Sequence, residues 1–139
     1  MTARNDTATA ARTRAAMTAL FAALSGRGEL ARCFAPDLTL TMMETGEVVS
    51  GRDAVASLLD AVYRVAFNAA PVVRSLVAIP GLAMAEADFC GTHVGEFAGV
   101  APTGREVNVA HVIACTVAGR TITAIRIYLP LDALSRQLR

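Results

Sequence analysis

Apolar residues follow two different spacings along this chain, and the spacing switches several times. Between residues 9 and 24, Ala16, Leu20, Ala23 and Leu24 fall on one face at a helical period, and Gly26 and Gly28 end the run. Residues 29–34 fit one or two further helical turns, closed by Pro36 after Ala35. Residues 38–43 alternate apolar side chains with threonine, as a half-buried strand does; Thr45-Gly46 turns it, and residues 47–50 pair back. Residues 52–67 predict the strongest helix, with Val55, Leu58, Leu59, Val62 and Ala66 as its buried stripe and Asp53 near its start, where a carboxylate suits the helix dipole. Strands are expected at 72–79 behind Pro71, at 82–90 after Pro80-Gly81, at 106–117, and at 120–129 beyond an Ala118-Gly119 hairpin turn. Residues 131–138 read as a short closing helix. The polar residues 1–8 read as a disordered arm, and residues 9–139 as one domain.

That order predicts an α+β fold: a strongly curved antiparallel sheet with the helices packed on one of its faces. On the strand at 106–117, Val107, Val109, Ile113, Cys115 and Val117 interleave with Ala110, Val112 and Ala114. Both faces are apolar and one helix layer covers only one, so a homodimer packed sheet on sheet is expected.

Composition sharpens the picture in a few places. An apolar fraction of 54% in so small a chain implies a buried apolar cavity or a partner-covered face. A formal charge of +1 gives no case for nucleic acid or an anionic membrane as partner. All 13 basic residues are arginine, which removes Schiff-base and phosphate-loop lysines. No phosphate loop or metal-ligand cluster is evident, so no cofactor is expected. Cys33, Cys90 and Cys115 are an odd number in apolar settings, read as free thiols of a reducing cytoplasm. Cys90 and His93 have a ligand-like spacing, yet no second cysteine pair or His-x-x-x-His follows to complete a zinc site. Arg12 and Arg14 before the apolar run 15–24 imitate a signal peptide. However, Ser25-Gly26-Arg27-Gly28 is a poor cleavage site, and the run has a helical period useful to a fold. No stretch reaches the ~20 apolar residues of a membrane span.

Candidate chemistry gathers around residues 91–105, GTHVGEFAGVAPTGR, a glycine-rich arm joining two long strands and carrying His93 and Glu96. His111 lies mid-strand among Val109, Ala110, Val112 and Ile113, either a satisfied core histidine or an acid/base tuned by burial. Asp88 sits within an apolar strand, where an unpaired charge is costly, and alternation leaves open which face it takes. Glu44 and Glu47 flank a turn and read as solvated; Met42 and Met43 read as core or pocket lining.

The motifs GTHVGEF and APTGR, followed by a strand, a glycine turn, ITAIRIYL and a terminal DALSRQL, resemble the SnoaL-like polyketide cyclases (ester cyclases) of the nuclear transport factor two-like superfamily. The likeness runs from about Phe21 to Leu138. It includes Phe34-Ala35-Pro36-Asp37 and Val49-Ser50-Gly51-Arg52-Asp53-Ala54. It implies a cone-shaped, cystatin-like α+β barrel around a deep apolar pocket. It also implies cofactor-independent acid/base chemistry on a bulky hydrophobic polyketide-type molecule: cyclisation, dehydration, isomerisation or epoxide opening. Cofactor-free hydroxylation of an aromatic polyketide is the related alternative. The family's aspartate acid/base at the end of the last strand is here Pro130, which neither takes nor gives a proton. A non-catalytic ligand-binding or dimer scaffold is therefore the third reading.

With the family's facing, Ile122, Ala124, Arg126, Tyr128 and Pro130 share one side of the last strand. Arg126 would then hold an enolate or phenolate and Tyr128 would donate to an oxyanion, while Asp88 or His111 moves the proton. In the structural alternative, Arg126 reaches the rim or pairs with Asp88 or Glu86. Met42, Phe67, Phe89, Val112 and Ala124 are the expected substrate contacts. His93 and Glu96 are expected to hold the arm in place.

Overall fold

The structure, a computed structural model, describes residues 9–139. The expected arm at 1–8 lies outside the described residues.

The chain opens with helix α1 (Ala10–Leu24), whose N-cap Thr9 side chain accepts from the Arg12 N–H at 3.1 Å. The next expected helix shrinks to one 3₁₀ turn, Leu30–Cys33, because the chain turns extended at Phe34 and stays so through Pro36 into β1 (Phe34–Met42). β2 (Glu47–Ser50) pairs back on β1, and α2 (Arg52–Asp60) runs on without a break into a π-helical segment, Ala61–Ala66. Long strands follow: β3 (Phe67–Ile79), β4 (Leu82–His93), β5 (Glu106–Ala118) and β6 (Thr121–Tyr128), then α3 (Leu131–Gln137). β3 starts five residues before the expected 72, taking in Pro71. It is an edge strand, so the missing proline N–H costs no ladder bond.

One six-stranded sheet results, in the order β2-β1-β6-β5-β4-β3. It is antiparallel except where β1 runs parallel to β6. The fold is the predicted α+β class, with a curved, unclosed sheet.

Cross-strand register divides the side chains between two faces. The concave set includes Phe89 beside Val109, Ala87 beside His111, and Ile113 beside Ile127 beside Met42. The convex set includes Val72 beside Asp88, Glu86 beside Val112 beside Tyr128, and Ala114 beside Arg126. α1 covers one end of the concave face with Met17, Leu20 and Leu24, and its Thr13 Oγ1 accepts from the Gly81 N–H at 3.0 Å. α2 and the π segment cover the other end, where packing is incomplete and a cavity remains.

Candidate active site

The cavity has a volume of about 260 Å³. Its walls come from Leu58, Leu59, Val62 and Tyr63 on the helix, Phe89 and His111 on the central strands, and Met42, Ile127 and Leu129 at the β1–β6 junction. Phe97 and Leu131 contribute from the arm and from α3, and Thr45, Glu47 and Val49 from the β1–β2 hairpin. Thr45 and Glu47 are exposed whereas Phe89, Leu59 and His111 are buried, so the hairpin marks the mouth.

His111 is 5% exposed, and its Nδ1 lies 2.8 Å from the Ala87 carbonyl oxygen. A carbonyl only accepts, so Nδ1 carries the ring proton and Nε2 keeps its lone pair. That Nε2 is buried and has no hydrogen-bond partner among the described residues. Burial lowers the His111 pKa, outweighing the Ala87 bond and the field of Asp88, so the neutral imidazole is favoured. The ring is thus fixed in tautomer and orientation, with a free basic nitrogen in an apolar surround.

Tyr63 is 5% exposed and packs edge-on against Phe89, ring centroids 5.2 Å apart. Its hydroxyl makes no hydrogen bond among the described residues, and burial raises its pKa, so it stays a neutral donor. Tyr63 stands on the π segment, a helical widening that recurs at functional sites. Arg64 holds that segment by donating to the Tyr63 and Ala69 carbonyls at 2.9 and 2.7 Å and to the Leu24 carbonyl. Sequence reasoning missed Tyr63 because the buried stripe was drawn through Val62. The signal available was its spacing, four residues beyond Leu59 and eight beyond Val55.

Arg126, Tyr128, Ala124 and Val112, expected in the cavity, lie on the convex face instead. For the three β6 residues the cause is a bulge in that strand, whereas Val112 faces outward because it directly follows the inward His111 on β5. Ile122 pairs with Val117 while Ala124 pairs with Thr116, so Thr123 is an extra residue and the alternation changes phase there. Ile122 therefore points inward, as do Ile125, Ile127 and Leu129, and the even-numbered residues from Ala124 to Tyr128 point out. Arg126 Nη1 donates to Thr116 Oγ1 at 3.3 Å, and Tyr128 is 42% exposed.

Asp88 is also turned away from the cavity. It is only 7% exposed because Arg74 covers it, Nε donating to Oδ2 at 2.8 Å and Nη2 to the same oxygen. Phe67, another expected substrate contact, stands behind the wall, packed at 5.2 Å on Phe89 and 5.1 Å on Phe97. Of the expected residues, the cavity brings together His111, Met42 and Phe89.

The glycine-rich arm is the cavity's outer wall. The N–H groups of Val94 and Gly95 donate to the Ala66 carbonyl at 3.0 and 2.9 Å, fastening the arm to the end of the π segment. Gly95 is required there, since a Cβ would sit 2.2 Å from the Val65 carbonyl oxygen. Ala98 and Gly99, both at positive φ, turn the chain so that Phe97 bridges Val100 and reaches the cavity. His93 and Glu96 serve the arm separately. His93 Nδ1 accepts from the Thr103 N–H at 3.1 Å, and Glu96 Oε2 accepts from the Gly99 N–H at 2.6 Å. Cys90 and His93, three apart on β4, fall on opposite faces and make no ligand pair. Among the described residues no three His, Cys, Asp or Glu side chains converge on a common point, and no helix is long and apolar enough to cross a membrane.

A curved sheet folded over helices around an apolar pocket is the ketosteroid isomerase-like, or nuclear transport factor two-like, fold. A proposed SnoaL-like polyketide cyclase from Jannaschia superposes at TM-score 0.83 with 18% identity, covering 92% of each chain. AclR from Streptomyces galilaeus, a proposed hydroxylase, gives 0.80 with 21% identity over 94% of this chain and 97% of the other. IdmH from Streptomyces antibioticus, a proposed polyketide cyclase, gives 0.77 with 20% identity over 91% and 97%. At these identities the likeness establishes the fold. The SnoaL-like polyketide cyclase family model matches residues 11–138, and the chain belongs to that family. No curated protein matches it.

Proposed function

We propose that the protein is an enzyme that moves a proton on a hydrophobic, polyketide-type small molecule without a cofactor. His111 Nε2 takes the proton and the Tyr63 hydroxyl donates to the oxygen that becomes anionic. The observation that carries this is the buried Nε2 of His111, whose ring lines an apolar cavity while its other nitrogen is committed to Ala87. A base so placed abstracts a proton α to a carbonyl, and a phenol held in low dielectric stabilises the resulting enolate. Ring closure, dehydration or isomerisation can follow from that enolate. With Pro130 at the N-cap of α3 and outside the cavity lining, the last strand supplies no acid/base to this site.

The test is exchange of the α-hydrogen of an aromatic β-keto ester in D₂O, followed by proton NMR. Exchange should be accelerated by the wild-type protein and lost in His111→Ala. Equal exchange by both would contradict the proposal and favour a binding scaffold. Oxygen consumption with an electron-rich phenol, dependent on His111, would move the reading to hydroxylation, in which the same nitrogen deprotonates the phenol.

Two further features belong to the same proposal. Val72, Val77 and Met84 leave apolar surface on the convex face, and we propose that a second copy covers it. The unpaired thiols Cys33, Cys90 and Cys115 suit the cytoplasm.

A further inference from the structure

We infer that Arg64 is a positioning residue for the proton transfer: its guanidinium fixes the π segment so that the Tyr63 hydroxyl meets the oxygen that becomes anionic. The inference rests on the reading of Tyr63 as the oxyanion donor of this cavity. It starts from the carbonyls at the ends of two helices, which have no partner within their own helix. At the end of α1 the carbonyls of Phe21, Ala22 and Ala23 accept from the N–H groups of Ser25, Gly26 and Arg27. The Leu24 carbonyl is left over, and Arg64 Nη2 donates to it. α1 has no basic residue in its own last turn, so the cation that suits its negative end comes from another element. Gly26 makes room for it, since a Cβ there would lie 3.2 Å from Nη2.

The second helix end is that of the π segment. The Phe67 N–H closes its last wide turn on the Val62 carbonyl. The next carbonyl, that of Tyr63, accepts from Arg64 Nη1 at 2.9 Å, and the same nitrogen donates to the Ala69 carbonyl on β3 at 2.7 Å. Both Nη1 hydrogens are thereby used, and three elements meet on one planar group. Among the described residues Arg64 pairs with no carboxylate, so the carbonyls alone hold it.

Tyr63 needs such a clamp because of what its side chain does. Its hydroxyl makes no hydrogen bond among the described residues. An oxyanion donor has to be free for the substrate, so it cannot be anchored through that hydroxyl. Its place is set by the ring's contact with Phe89, centroids 5.2 Å apart, and by the backbone beneath it. Arg64 supplies the backbone half. A donor displaced by about 1 Å loses up to ~10²-fold in rate. A lysine would bring a point charge in place of the planar fork and would not hold α1, β3 and Tyr63 together.

The experiment is a double-mutant cycle of Arg64→Lys with Tyr63→Phe, read by α-proton exchange of the aromatic β-keto ester at a temperature where far-UV CD shows each variant folded. Arg64→Lys should lower kcat about tenfold and leave KM within about twofold, the mark of an interaction made in the transition state. In the Tyr63→Phe background the same substitution should cost less than about twofold, because its effect runs through the lost hydroxyl. If Arg64→Lys does not fold, Gly26→Ala, which crowds Nη2 from the α1 side, should give the same pattern. A second readout needs no turnover. The chain has no tryptophan and two tyrosines, so in Tyr128→Phe the fluorescence is that of Tyr63. Acrylamide should quench it more strongly once Arg64→Lys is added. Unchanged quenching, or an equal loss of kcat in both backgrounds, would overturn the inference. Exchange by the wild type with a flat cycle overturns this inference alone, whereas no exchange by the wild type overturns the proposed reaction and this inference with it.

Discussion

The two faces of the sheet are built from the same strands and treat their polar residues in opposite ways. On the convex face Asp88 is matched by Arg74, Glu86 by Ser75 at 2.8 Å, and Arg126 by Thr116, while Tyr128 reaches water. On the concave face, among the described residues, His111 Nε2 is buried without a partner and the Tyr63 hydroxyl makes no hydrogen bond in the apolar cavity. Most of the charge lies on the convex face, and the reactive potential on the concave one. A polar atom that protein and solvent leave unsatisfied is available to a substrate, whereas an ion pair has already spent its capacity.

Substitutions on either side test that contrast. The largest effect is expected from His111→Ala, a loss of about 10²–10⁴ in kcat for α-proton exchange, the usual worth of a positioned acid/base. Next comes Tyr63→Phe, which removes the oxyanion donor and should lower kcat by about 10²-fold. The hydroxyl has no partner to lose, so Tm should hold or rise slightly in that variant. A fall in Tm would mean that Tyr63 has a structural partner instead. On the convex face, Arg126→Ala and Tyr128→Phe should change kcat less than about twofold, surface changes of this kind being nearly neutral. Arg74→Ala should lower Tm slightly while sparing kcat, because it removes the charge partner of Asp88 and uncovers that carboxylate to water.

The smallest expected effect is on stability against pH. His111 has a folded pKa below its unfolded value of about 6.5. Above 6.5 neither state holds the proton and the contribution is fully present. As pH falls below 6.5 the unfolded chain binds it first, so stability is lost until the folded pKa is reached. Chemical denaturation between pH 7.5 and 5 should therefore show a steeper loss for the wild type than for His111→Gln.

Much of the fold was legible in the sequence because the apolar period reports burial directly. The helix at 52–67, the two long central strands and the Gly119 turn all stand where the pattern put them. The site was harder to read. A single extra residue, Thr123, reversed the facing of β6, and no periodicity reveals a bulge that the partner strand decides. That reversal took Arg126 and Tyr128 out of the cavity. Asp88 was ambiguous for a related reason: it is buried, but by Arg74 on the convex side, and that contact depends on a second register shift between Val73 and Ser75. Tyr63 follows the helical spacing of Val55 and Leu59 and was passed over because the stripe was drawn through Val62, which is only partly buried. Met42 and Phe89 line the cavity as the pattern expected, and His111, whose facing the pattern left open, is set inward beside Ala87 in an unbroken stretch of the β4–β5 ladder.

The most direct test of the account is the protonation state of His111 itself, followed by ¹⁵N NMR of the imidazole across pH 5 to 8. The account predicts a neutral ring at pH 7 with its proton on Nδ1, titrating below the ordinary histidine value and shifting on addition of an uncharged aromatic ligand. A ring charged at pH 7, or one carrying its proton on Nε2, would contradict it.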